Sequence, residues 1–80
     1  MMFALFETLA EYALKNDEIN TALGYPNVRG TLRYAAESPM LTVDGKYPMQ
    51  ILPHVAHLFD GCVIVDTVEY PQEEVEDELN

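Results

Sequence analysis

The sequence predicts one α+β domain: N-terminal helices, then a small antiparallel β-sheet built from a hairpin and one longer strand, one further helix, and an acidic C-terminal tail. Three observations carry this reading. Apolar residues recur at helical spacing through most of the chain up to Glu37. Met40 to Tyr47 forms two short β-prone runs around Asp44-Gly45, and Cys62 to Tyr70 is rich in β-branched side chains. A chain of 80 residues holds one domain and buries only about 60% of its unfolded surface, so residues 1–70 are expected as the folded body and 71–80 as a flexible tail.

Between Met2 and Lys15 the residues Phe3, Phe6, Leu9, Ala10, Ala13 and Leu14 share a helix face, while Glu7, Glu11 and Lys15 follow every fourth residue on another. Asn16 and Asp17 are expected to stop this helix and cap a shorter one, Glu18 to Leu23, which Gly24 ends. Asn27 is placed to cap a third helix from Val28 to about Glu37, weakened by about 1 kcal/mol at Gly30. After Ser38-Pro39 comes the hairpin, with a type I′ turn at Asp44-Gly45 and with Pro48 limiting its second strand. From Met49 to Phe59 the spacing is helical again, Pro53 falls in the first turn, and Asp60-Gly61 closes the helix. Cys62 to Tyr70 is expected as the central strand.

The charge distribution says more about function. Four basic residues, Lys15, Arg29, Arg33 and Lys46, face 14 acidic ones, for a net charge of −10, and nothing from Tyr47 to Asn80 is Lys or Arg. At 49% hydrophobic residues the chain is too apolar for a disordered polyelectrolyte. A surface of one sign repels nucleic acid and anionic membranes over about 8–10 Å and attracts cationic partners. The expected partner is a protein with a basic surface, a nucleic-acid-binding enzyme or complex. The expected partner-binding residues are Glu7, Glu11, Asp17 and Glu18 on the first helices, with Asp66, Glu69, Glu73, Glu74, Glu76, Asp77 and Glu78 in the C-terminal third. Solubility alone is the plainer explanation for any single carboxylate, but a surplus this large opposes compaction.

Other candidates weigh less. Glu18–Leu23, the Gly24 turn and Val28–Glu37 have the lengths of a helix-turn-helix, with Arg29 and Arg33 on its second helix. Asn20 and Gly30 stand where that motif wants small and branched apolar residues, and two arginines are a thin phosphate footprint. His54, His57 and Asp60 lie three apart with Cys62 beyond, a zinc-like set without a second ligand pair, so no metal or other cofactor is expected. No nucleophile elbow or phosphate loop is present, and no enzymatic activity is expected. Tyr12, Tyr25, Tyr34, Tyr47 and Tyr70 read as residues at the edge of the core before they read as interface anchors. A lone cysteine, the absence of a basic and apolar leader, and charges interrupting every apolar run point to the cytoplasm.

In size, acidity and lack of catalytic apparatus the chain resembles the small accessory proteins of phages and mobile elements, among them anti-restriction, anti-CRISPR and polymerase-binding inhibitors. No motif carries that resemblance; it implies an inhibitor that blocks a basic groove. The alternatives are the helix-turn-helix DNA-binding module and a self-assembling adaptor, a homodimer formed through the edge of the hairpin or of Cys62–Tyr70.

Overall fold

The first element is a strand and not a helix. In the computed structural model, which describes residues 1–28 and 30–71, β1 spans Met2–Phe6. The run Met-Phe-Ala-Leu-Phe satisfies both a helical and a β period, and pairing on both sides decides between them. β1 pairs antiparallel with β2, Tyr47–Ile51, in the register Ala4↔Met49, and with β3, Val63–Val65, in the register Ala4↔Ile64. The sheet order is β2-β1-β3, so the centre belongs to β1 and not to Cys62–Tyr70.

One helix, α1, runs unbroken through Leu9–Leu23 where two were expected. Thr8 starts it: its Oγ1 accepts the Glu11 N–H at 3.1 Å, and Glu11 Oε1 reaches back past the cap to accept the Glu7 N–H at 3.2 Å, a variant of the capping box that ties the end of β1 to the helix start. Asn16 and Asp17 do not end the helix because Asn16 faces inward, 2% exposed, where its amide has partners across the core. Gly24, at φ 81°, makes the left-handed turn that ends it.

The third helix expected over 28–37 does not form in the described part of that stretch. Gly30 stands at φ 80°, and the N–H groups of Tyr34 and Ala35 bond the side chains of Asn20 and Asn16, at 2.6 and 3.2 Å, instead of carbonyls one turn back. The expected hairpin is reduced to a turn. Thr42 and Lys46 exchange bonds around Gly45, while the Val43 N–H reaches the Glu69 carbonyl at 2.8 Å, so 40–43 forms no ladder with β2. Pro48 does not limit β2, because β2 is an edge strand and tolerates a residue without an N–H. Pro53–Phe59 is helical as expected, but of the tighter 3₁₀ kind, with Pro53 in its first turn.

Ala4, Phe6 and Met49 on one face of the sheet pack against Tyr12 and Ile19 of α1 and Val55 and Phe59 of the 3₁₀ helix to make the core. Phe3, Leu5, Val63 and Val65, alternating with these, share the opposite face. The molecule is therefore α+β, with a three-stranded antiparallel sheet. The acidic tail expected from Pro71 lies outside the described residues from Gln72 onward, as do Glu73, Glu74, Glu76, Asp77 and Glu78.

Candidate functional site

The structure divides the expected docking carboxylates into two groups. Those of the N-terminal part are engaged within the chain. Glu7 Oε2 lies 2.6 Å from Lys46 Nζ, and Glu11 Oε1 accepts the Glu7 N–H at the helix start. Asp17 pairs with the Arg33 guanidinium, which also sits 3.8 Å from Glu37. Glu18 lies 2.8 Å from Lys15 Nζ. These pairs have structural purpose. Lys15 also donates to the Leu58 carbonyl at 2.7 Å and stands 6.0 Å from the Phe59 ring centroid, tying α1 to the 3₁₀ helix. Arg33, only 13% exposed at its side chain, holds the irregular segment against α1. Arg29, the fourth basic residue, lies outside the described residues.

The second group has no such neutralisation. Among the described residues, Asp66 and Glu69 have neither a cation nor a hydrogen-bond donor at their carboxylates, and Asp44 and Asp60 share that condition. Asp60 sits in the turn before β3 and Asp66 follows it directly. Asp44 and Glu69, 25 positions apart in sequence, are brought together by the Val43–Glu69 backbone bond and line one groove of about 490 Å³, whose floor includes Leu5 and Val65 of the sheet. Sequence reasoning missed Asp44 and Asp60 as members of this set; the absence of any Lys or Arg after Lys46 was the signal for Asp60.

No family model, curated protein or solved structure matches this chain.

His54, His57, Asp60 and Cys62 do not assemble: among the described residues, no three His, Cys, Asp or Glu side chains converge as metal ligands. Among the described residues of 28–37 there is no helix, so the helix-turn-helix has no second helix there. Of the tyrosines, Tyr12 is fully buried, its hydroxyl donating to the Ala36 carbonyl at 2.7 Å, and burial, with a smaller contribution from Tyr70, pushes its pKa up to about 12. Tyr34 donates to the Gln50 carbonyl at 2.6 Å and accepts from the Leu52 N–H at 3.0 Å; burial raises its pKa, partly offset by the Leu52 bond. Tyr70 is exposed. Among the described residues, no helix is long and apolar enough to cross a membrane.

Proposed function

We propose that this chain is a small, non-enzymatic, acidic binding module that docks on the basic, nucleic-acid-binding surface of a partner protein in the cytoplasm and blocks it. The observation that supports this most is the division of the charge. Lys15, Arg33 and Lys46 are all spent on acids of the N-terminal part and the irregular segment, so the turns flanking β3 and the groove beside it keep Asp44, Asp60, Asp66 and Glu69 uncompensated. Simple solubility would leave the surplus scattered; here Asp44 and Glu69 line one groove with the apolar Leu5 and Val65, and Asp60 and Asp66 bracket β3. Duplex DNA carries about one phosphate charge per 1.7 Å of axis, so a rigid array of carboxylates competes for the same lysines and arginines. Accessory inhibitors of the anti-restriction and anti-CRISPR kind would act in this way.

The test begins with capture of partners from a nuclease-treated lysate, eluted in salt steps. Each purified partner is then assayed for nucleic-acid binding with and without the chain. Competition that fades when Asp66→Lys and Glu69→Lys are combined supports the proposal. Competition unaffected by those reversals, or partners whose nucleic-acid binding the chain leaves unchanged, overturns it.

A further inference from the structure

The two edges of the sheet are treated differently. The β2 edge is closed: Pro48 offers no N–H, the Tyr34 hydroxyl takes the Gln50 carbonyl and the Leu52 N–H, and Asn16 and Asn20 hold the 34–35 backbone alongside. Proline and covering segments are ordinary defences against unwanted strand pairing. The β3 edge has neither. Its residues Val63 and Ile64 are 64% and 43% exposed, and among the described residues nothing hydrogen-bonds its outer side.

The register says which groups are offered there. Pro48 lacks an N–H and the Gln50 carbonyl is used outside the sheet, which makes Leu5↔Pro48 and Phe3↔Gln50 the non-hydrogen-bonded pairs of the β1–β2 ladder. Leu5 and Phe3 therefore turn their peptide groups toward Val63 and Val65, and Ile64 turns its own N–H and C=O outward. An open donor and acceptor thus stand between an exposed Val63 and a half-buried Val65, with Asp60 before them and Asp66 after.

We infer that the β3 edge is a strand-addition site for an extended basic segment of a partner protein, alternating cationic and β-branched residues, which pairs with the Ile64 backbone and sets its cations against Asp60, Asp66 and Glu69. The inference rests on the acidic-docking proposal and specifies its binding mode. Charge decides between occupants: a second copy would bring a further net charge of −10 to this edge, whereas a cationic strand is attracted to it.

The probe is a synthetic peptide of about eight residues alternating lysine and valine, long enough for one strand. It is titrated into the isotope-labelled full chain at low salt and followed by amide chemical shifts and hydrogen exchange. The expected result is slowed exchange of the Ile64 N–H and binding weakened about tenfold or more when the peptide is N-methylated at alternate residues. Val63→Lys should weaken binding similarly through like-charge repulsion. Ile64→Pro should do so too while leaving the β1 ladder intact, since it removes only an outward donor; if that variant fails to fold, Val63→Lys and the N-methylated peptide decide. Binding indifferent to methylation and to Val63→Lys, with shifts confined to the acidic side chains, overturns strand addition while sparing the docking proposal. No binding of any cationic peptide at low salt overturns both. Concentration-dependent protection of Ile64 without peptide makes the occupant a second copy and also overturns the inference.

Discussion

The Asn16 side chain grips the backbone of Ala35 at both ends: Nδ2 donates to the Ala35 carbonyl at 2.9 Å and Oδ1 accepts the Ala35 N–H at 3.2 Å. The carboxamide, carried only by asparagine and glutamine, is the neutral side-chain group that reproduces the pairing of a neighbouring strand, offering a donor and an acceptor side by side. Asn20 extends the grip, donating to Asn16 Oδ1 at 3.2 Å and accepting the Tyr34 N–H at 2.6 Å. Two residues of low helix propensity therefore sit in mid-helix because they replace the backbone partners that segment 33–36 lacks.

Asn16→Leu should lower stability by about 2–3 kcal/mol even though it adds helix propensity and apolar volume, because both polar groups of Ala35 are left without partners. Asn20→Ala should cost a comparable amount, and the double variant should cost less than the sum, since the two amides share a bond. Urea unfolding of the four proteins measures this cycle; additive losses would show that the amides act separately.

Alkali should unfold the protein through Tyr12. Its pKa is raised from 10.0 to about 12 in the folded state, so the folded chain holds this proton more tightly than the unfolded one. The stability this contributes is fully present below pH 10.0 and is lost as pH rises toward about 12, a loss on the order of 2–3 kcal/mol. The raised Tyr34 pKa acts in the same direction. Tyr12→Phe should be less stable at neutral pH, for want of the bond to Ala36, yet show a shallower alkaline decline; a parallel decline in both proteins would assign the effect to other groups.

The ion pairs should rank by burial. Arg33→Ala removes a side chain only 13% exposed, with its packing as well as its charge, and should cost about 1–2 kcal/mol. Lys46→Ala removes a pair whose Glu7 partner is 71% exposed and should cost less than about 0.5 kcal/mol. Equal losses in thermal unfolding would contradict this ranking.

Salt should stabilise the fold. With a net charge of −10, screening of self-repulsion outweighs the weakening of a few surface pairs, so the midpoint of thermal unfolding should rise between about 10 and 300 mM sodium chloride. Asp66→Asn with Glu69→Gln should reduce that rise, and a midpoint falling with salt would mean that the pairs dominate.

The elements legible in the sequence were those fixed by local signals: the Gly24 stop, Pro53 in the first turn, the Asp60-Gly61 break, and a β-branched strand within Cys62–Tyr70, of which only Val63–Val65 is strand. Thr8 and Glu11, three apart, marked the true start of α1 and were a readable signal that went unused. Met2–Phe6 was not legible as a strand because its apolar run fits two periods and its partners lie far along the chain. Asn16, Asn20 and the irregular 28–37 segment failed together: the polarity that argued for a helix break is satisfied by backbone that only the tertiary fold supplies. For the site, the acidic surplus was plain from composition, but which acids are neutralised depends on where Lys15, Arg33 and Lys46 reach.

Placing β1 at the centre of the sheet also sets the timing of folding during synthesis. Every rung of the ladder joins Met2–Phe6 to residues at or beyond Tyr47, and the last rung joins Phe3 to Val65. β1 leaves the ribosome before both of its partners and must stay apolar and unpaired until Tyr47–Ile51 has emerged, its other side waiting for Val63–Val65, and each closure orders a long intervening segment. Assembly is then expected to be all-or-none and slow for a chain of this size, with the nascent Met2–Phe6 segment as the part most in need of a chaperone.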